Sequence, residues 1–252
     1  MMPKYTCKCC GKEIGLLGSV QLADREYLCK DCTKHSSPYF IPLDCTYEEY
    51  ADHQKQIEDG QKLYEAYFNK NRKVKQLAGG DIKYDPDTEL LCVYGERGGL
   101  LDRKKYYCVM RAADLDYYDE DNGLSHAAKP GDGKVNFRLT FRATRGLGNF
   151  IIPMDKSKLN ATIKGLDEIF NGKGLMGSFK KKAEKQKAQA MAIAGMMNGL
   201  KGAIESTASG SPDSAKLSDA ANDMANGMDD LFYAGREDLI AKADAAIKQV
   251  LG

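Results

Sequence analysis

The stretch Cys7–Cys32, CKCCGKEIGLLGSVQLADREYLCKDC, decides how the chain is organised. It contains two Cys-x-x-Cys pairs, Cys7/Cys10 and Cys29/Cys32, with 18 residues between them. Four thiolates at this spacing can surround one tetrahedral zinc ion, and a site closed by four sulfurs leaves no position for a reacting water. The spacing therefore predicts a structural zinc site with these four cysteines as its ligands.

Residues 1–35 are predicted to form this zinc-binding module around one hairpin. Gly11 directly follows Cys10 and lets the backbone turn its amides toward sulfur. The runs Ser19–Leu22 and Glu26–Leu28 indicate the two strands, and the second cysteine pair opens a short helix. This order is typical of treble-clef or ribbon-like zinc units. A module of about 30 residues cannot bury enough apolar surface to fold alone, so the metal should supply much of its stability.

Two further residues lie near the predicted ligands. Cys9 could replace Cys7 or Cys10 only with worse spacing, so a neighbouring free thiol is the simpler interpretation. His35 lies three residues after Cys32 and would be a ligand only in a variant site. Four sulfurs already satisfy the coordination of zinc, which favours the set without either residue.

The cysteine pairs are part of the longer motif C-x-x-C-G-K-x-I-G-L-L…C-x-x-C. The residues that match it are Cys7, Cys10, Gly11, Lys12, Ile14, Gly15, Leu16, Leu17, Cys29 and Cys32. This pattern resembles an uncharacterised bacterial family whose members carry a small N-terminal zinc domain, often followed by a PH-like β-domain. The resemblance implies zinc at the four matching cysteines and supplies no activity, because none is established for the family. Over residues 81–171 it extends only to an order of elements.

Residues 46–78 are predicted to form one long connecting helix, after an extended connector with two prolines at residues 36–45. Thr46 is suited to cap the N-terminus, and acidic residues follow it in the first turn. The segment contains no proline, and Gly60 is the place where the helix can bend. The pair Gly79-Gly80 should end it.

Residues 79–171 are predicted to form a PH-like antiparallel β-barrel. The clearest strand is Val135–Thr144, in which apolar and polar residues alternate as expected for a half-buried strand. About six such strands are followed by an amphipathic helix, which is the order of elements in a small PH-like domain. Together with the zinc module and the helices, this gives an α+β fold class.

Residues 172–252 are predicted to form a helical C-terminal region. Residues 175–206 carry a seven-residue apolar repeat, and a last helix carries apolar residues from Leu239 to Val250. Packing against a protein partner or a second copy through these helices is the favoured interpretation. The alternative is a peripheral membrane protein that binds anionic lipid through residues 175–206, because Lys180-Lys181-Lys182 precede the amphipathic run.

The sequence argues against catalysis and against nucleic acid. It contains no acid, base and nucleophile at a known catalytic spacing, and Cys92 and Cys108 lie in apolar strands as expected for core residues. An enzyme with an unrecognised site, for example at Cys108 or His126, remains the second alternative. The net charge is +1, and the zinc module carries no stripe of basic and aromatic residues.

The compartment follows from the cysteines and from the N-terminus. The chain has eight cysteines but no apolar export signal, which favours a reducing, cytoplasmic location over a disulfide-bonded secreted protein. We therefore expect a cytoplasmic, zinc-binding, non-catalytic adaptor that acts through a partner.

Overall fold

The computed structural model describes residues 4–99, 102–121, 133–142, 146–171, 233 and 235–252. The chain divides into two compact units, Met1–Gly165 with Asp238–Gly252 and, separately, Leu166–Glu237. Of the second unit, residues 166–171, 233 and 235–237 are described. Both helices and strands are present, in agreement with the predicted mixed class. No described helix is both long enough and apolar enough to cross a membrane.

The N-terminal region is built from very short elements. They are β1 (Lys4–Thr6), β2 (Glu13–Gly15), β3 (Ser19–Gln21), β4 (Tyr27–Cys29) and the one-turn helix α1 (Lys30–Thr33). β3 and β4 form the predicted antiparallel hairpin, and β1 and β2 form a second antiparallel pair. A 3-10 turn, Leu16–Gly18, connects the two pairs. Elements this short bury little apolar surface, which agrees with the expectation that a bound metal stabilises the module.

The helix after the connector, α2 (Tyr47–Leu63), begins as predicted. The Thr46 side chain accepts a hydrogen bond from the Glu49 N–H, and the Glu49 carboxylate accepts one from the Thr46 N–H. This capping box satisfies two of the N–H groups that a helix start leaves without partners. A π-helical turn, Tyr64–Phe68, continues the helix.

The end of this helix differs from the prediction of one helix over residues 46–78. Lys70 has a left-handed φ of 63°, and the Asn71 side-chain amide donates to the Tyr67 carbonyl at 2.9 Å. These two features end the helix, and the chain then turns back. Residues Lys75–Leu77 form β5, which pairs with the next strand along the chain, so strand pairing and not the preceding helix decides their conformation.

Beginning with β5, seven strands of the described residues form two antiparallel sheets. One sheet has the order β5, β6 (Ile82–Asp85), β7 (Leu90–Arg97) and β8 (Lys104–Arg111); the other has the order β11 (Asn149–Asp155), β10 (Lys134–Phe141) and β9 (Leu115–Glu120). No closed barrel is found among the described residues, contrary to the prediction. The chain leaves β8 through the 3-10 turn Ala112–Asp114 and starts a separate sheet, whereas closure requires hydrogen bonds between the sheet edges.

The edge strand β11 carries Pro153 on its open side. The Phe141 N–H donates to the Gly148 carbonyl at 2.7 Å, and the Lys156 N–H donates to the Gly133 carbonyl at 3.2 Å. In an antiparallel pair, the backbone N–H and C=O groups of every second residue point toward the partner strand. These two bonds fix which residues do so, and the backbone of Pro153 falls in the set that points away from β10. A proline there removes an outward donor without breaking the ladder, and it disfavours the addition of another strand.

Two helices complete the described fold, α3 (Lys156–Asn171) and α4 (Glu237–Leu251). α4 confirms the predicted last helix. It packs with α2 against one face of the four-stranded sheet, in a core formed by Leu63, Phe68, Leu90, Cys92, Tyr107, Ala243 and Ala246. The predicted repeat helix, residues 175–206, lies outside the described residues.

Both faces of the four-stranded sheet are buried. Cys92 pairs with Val109, and Cys108 pairs with Val93 on the adjacent strand. Because directly opposite residues share a face and consecutive residues alternate, the two cysteines point to opposite faces. Cys92 is 0% exposed and Cys108 is 1% exposed, which confirms that both are core residues.

Candidate metal centre

The four predicted cysteines come together in one cluster. The sulfur atoms of Cys7, Cys10, Cys29 and Cys32 all lie within 4.8 Å of one another. The Cys7 and Cys32 sulfurs are 3.8 Å apart, and the Cys10 and Cys29 sulfurs are 3.9 Å apart. Four sulfurs at about 2.3 Å from a tetrahedral ion are about 3.8 Å from each other, whereas a disulfide bond is about 2.05 Å long. The geometry therefore fits a bound ion and not disulfides.

Local backbone structure places each sulfur. Cys7 directly follows β1, and the Gly11 N–H donates to the Cys7 carbonyl at 2.8 Å in the turn that presents Cys10. Gly11 has a φ of 73°, which glycine adopts without steric penalty. Cys29 ends β4 and caps α1, and Cys32 lies within α1.

Backbone amides point at the sulfurs. The Cys29 N–H donates to the Cys7 sulfur at 3.2 Å, and the Cys32 N–H donates to the Cys29 sulfur at 3.4 Å. Burial opposes ionisation of the Cys7 thiol, but the N–H groups of Cys10, Cys29 and Cys9 outweigh it and lower its pKa to about 6. The arrangement therefore stabilises negative charge on sulfur, as a metal thiolate requires.

Other members of the cluster hold their protons more tightly. Burial, together with hydrogen bonds to the neighbouring thiols, raises the pKa of Cys32. The Lys12 N–H favours the thiolate of Cys10, but hydrogen bonds with Cys7 and Cys29, together with desolvation, raise its pKa overall. Four adjacent thiols cannot all ionise without a cation between them, so binding of a divalent ion and release of protons should occur together.

Cys9 and His35 are not part of the cluster. The Cys9 side chain is exposed, and its sulfur lies 3.8 Å from the Tyr50 hydroxyl oxygen. His35 is exposed and lines a separate surface cleft with Arg97 and Tyr106. The four-sulfur group is complete without either residue.

Contacts with residues after position 35 hold the cysteine region in place. The Tyr50 hydroxyl donates to the Cys32 carbonyl at 3.1 Å, and the Phe40 ring packs against Tyr50 with centroids 5.5 Å apart. The Ala23 N–H donates to the Cys45 carbonyl at 2.9 Å. Sequence reasoning missed Tyr50, which it treated only as one apolar position of the helix. Nothing local distinguishes it from the other tyrosines.

A buried polar chain lies beside this region. The Ser37 N–H donates to His53 Nε2 at 3.2 Å, the Ser37 hydroxyl lies 3.0 Å from the same nitrogen, and His53 Nδ1 lies 2.9 Å from Gln56 Oε1. Gln56 in turn bonds both backbone groups of Leu147. The order serine, histidine, amide is that of a proton relay, but Ser37 and His53 are 0% exposed, so no dissolved substrate reaches them. Burial lowers the pKa of His53 to about 4, so the ring is neutral.

Of the two residues considered for an unrecognised enzyme site, the structure describes Cys108. Burial raises the pKa of the Cys108 thiol to about 12, which makes it a poor nucleophile at neutral pH. His126 lies outside the described residues.

Residues 6–53 match the model of a family described as a domain of unknown function (DUF4428). The match begins at the end of β1 and ends at His53 in α2, so it covers the cysteine cluster, the connector and the start of the helix. No curated protein and no solved structure matches the chain. The matched segment thus carries four clustered cysteines that can hold a metal, which fits an uncharacterised family with a cysteine module.

Proposed function

We propose that this protein is a zinc-binding, non-catalytic interaction protein whose N-terminal module keeps its shape through the bound ion. The observation that carries the proposal is the cluster of four sulfurs with separations of 3.8 and 3.9 Å. Tetrahedral thiolate sites hold zinc or iron–sulfur clusters. A cluster with several irons spreads its cysteines further apart than one ion does, and a single zinc ion suits these separations.

Zinc in this site would be structural. Cys7, Cys10, Cys29 and Cys32 fill all four positions of a tetrahedral ion, so no place remains for a water to be activated. When bound, the ion supplies charge neutralisation for the thiolates and links the β1–β2 turn to the start of α1. The amides of Cys29 and Cys32 hold the sulfurs in this arrangement through their hydrogen bonds.

The β-region would provide the platform of the protein. Its four-stranded and three-stranded antiparallel sheets, followed by α3, have the order of elements of a PH-like domain, and we propose that fold for residues 79–171, with β5 added at its start. Partner binding by such a platform is an inference from fold analogy. The free thiols of Cys45, Cys92 and Cys108 suit a reducing, cytoplasmic compartment.

The closed coordination can be tested by replacing zinc with Co²⁺. The proposal expects a tetrahedral thiolate spectrum that does not change when imidazole or cyanide is added, because no ligand position is open. A spectrum that changes on addition of either molecule would show an open position and would favour a catalytic metal. Cys9→Ser serves as the matched control, since its sulfur lies outside the cluster.

The structural role can be tested by hydrogen exchange with and without a zinc chelator. Removal of the ion should increase amide exchange across residues 4–35, whose helices and strands are at most four residues long. The amides of β7 and β8 should keep their protection, because an independent core buries these strands. Unchanged exchange in residues 4–35 after confirmed loss of the metal would contradict the proposal.

A further inference from the structure

Cys9 is a cysteine of the metal region that the four-sulfur cluster does not include. Outside the cluster the described chain has three more thiols, on Cys45, Cys92 and Cys108, and these residues are 7%, 0% and 1% exposed. Cys9, in contrast, is exposed. It is therefore the one thiol of the described residues outside the cluster that a dissolved reagent reaches without any opening of the fold.

The Cys9 side chain lies against Cys32. The Tyr50 hydroxyl oxygen is 3.8 Å from the Cys9 sulfur, and the same hydroxyl donates to the Cys32 carbonyl at 3.1 Å. The Cys9 thiol is also a hydrogen-bond partner of the Cys32 thiol. Tyr50 is 2% exposed, so a side chain fixed in the core lies behind this contact. Cys9 and Cys32 are thus neighbours in space, although they lie at opposite ends of the cysteine region.

Solvent reaches the metal centre at the turn that carries Cys9. Of the four clustered cysteines, Cys7, Cys29 and Cys32 are buried. Cys10, which directly follows Cys9, is exposed. A small molecule that reacts with Cys9 therefore does so at the open side of the centre, where a bound ion can also leave.

An exposed thiol beside metal-bound thiolates has a defined chemistry. A peroxide oxidises an accessible thiol to a sulfenic acid, and a neighbouring thiolate then displaces the hydroxyl group to form a disulfide. The attacking species has to be a thiolate, and cysteines that hold zinc are already in this form. Oxidation of Cys9 would therefore consume a ligand of the site.

We propose that Cys9 is an oxidation site through which hydrogen peroxide opens the metal centre. The Cys9 thiol reacts with the peroxide to give a sulfenic acid and one water. The Cys32 thiolate then attacks the Cys9 sulfur, the S–O bond breaks, and the departing hydroxide takes a proton from solvent to form a second water. The two cysteines together lose two electrons, which the peroxide gains. The new Cys9–Cys32 disulfide takes Cys32 out of the site, so three ligand sulfurs remain.

The oxidised state is reversible and changes the module. This inference rests on the proposed function, because the ion is what gives residues 4–35 their shape. Once a ligand is lost, the site is incomplete and the module loses the stability that the metal supplies. Small thiols in a reducing compartment attack the disulfide and regenerate both cysteines, after which zinc binds again. The module would thus be folded in reducing conditions and loosened by peroxide.

Zinc release by hydrogen peroxide tests the inference on the full zinc-loaded chain. A chromogenic chelator follows the released metal, and peptide mass spectrometry identifies the disulfides. The wild type should lose its zinc and gain a Cys9–Cys32 disulfide, and dithiothreitol with added zinc should reverse both changes. Cys9→Ser should keep most of its zinc under the same treatment, because the first thiol is missing. Cys45→Ser is the matched control and should behave like the wild type, since the Cys45 thiol is buried.

The outcomes separate the inference from the proposed function. Absence of zinc before any peroxide is added would contradict both. When zinc is present, release from Cys9→Ser as fast as from the wild type would overturn the inference alone, and so would zinc release with a disulfide that lacks Cys9. Loss of zinc from untreated Cys9→Ser would make Cys9 a ligand and would also overturn it. Cys9→Ala, which carries no hydroxyl, should be as resistant to peroxide as Cys9→Ser.

Discussion

Acid should destabilise this protein through the buried imidazole of His53. Its Nε2 accepts the Ser37 N–H, so this nitrogen carries no proton, and Nδ1 donates to Gln56. Protonation would place a second hydrogen against the Ser37 N–H and a charge in a site without solvent. Burial lowers the pKa of His53 from 6.5 to about 4, although the Gln56 hydrogen bond partly opposes it.

The size of the effect follows from this shift. Between pH 6.5 and about 4 the unfolded chain binds a proton on His53 that the folded chain does not bind, so stability falls as the pH falls through this window. Each unit of difference between the pKa values of the folded and unfolded chains changes the free energy of unfolding by about 1.4 kcal/mol. The stability that the neutral His53 ring contributes is fully present well above pH 6.5. About 2 kcal/mol of this stability is lost between pH 7.5 and 5, and about 3 kcal/mol is lost by pH 4.

Urea unfolding at a series of pH values measures this loss. His53→Gln keeps a polar side chain at the site but removes the titration, so its stability should vary less with pH than that of the wild type. The cysteines titrate in both proteins and cancel in the difference. His35→Gln is the control, because it makes the same substitution at an exposed histidine. Equal losses for the wild type and His53→Gln between pH 7.5 and 5 would refute the reasoning.

Two further predictions concern α2. Gly60→Ala should destabilise the fold by about 2 kcal/mol or more despite the higher helix propensity of alanine, because the new Cβ would lie 1.9 Å from the Tyr107 carbonyl oxygen. Urea unfolding should show no such loss for Gly18→Ala, because the Cβ added at Gly18 would meet no described atom within 4 Å. Similar stability of the two variants would contradict the close approach of Gly60 to the Tyr107 carbonyl. Thr46→Ala should lower the stability by about 1 kcal/mol in thermal unfolding, because it removes the capping box. Thr46→Ser keeps a hydroxyl at the cap and should retain most of the wild-type stability. An equal loss in both variants would argue against the cap.

Sequence reasoning located what local chemistry determines. Cysteine spacing identified the residues that the structure brings together, because a metal site needs particular atoms at fixed separations. Thr46 was identified as a helix start, since a cap uses residues only three positions apart. The alternation after Val135 likewise indicated β10.

Features that depend on which segments pair or pack together could not be predicted in this way. Lys75–Leu77 follow a helix in sequence, and only their pairing with β6 makes them a strand. The Gln56 side chain bonds Leu147, which lies 91 residues further along the chain. Closure of the sheets into a barrel was wrongly predicted among the described residues, because the count and order of strands do not specify which edges bond.

Metal analysis of the purified protein tests the central claim most directly. Protein produced in medium containing zinc should carry one zinc ion per chain, and Cys29→Ser should lose it because a ligand is missing. Cys9→Ser should keep the full amount, since its sulfur lies outside the cluster. The account is contradicted if the wild type contains no stoichiometric zinc, or if Cys29→Ser binds zinc as fully and as tightly as the wild type does.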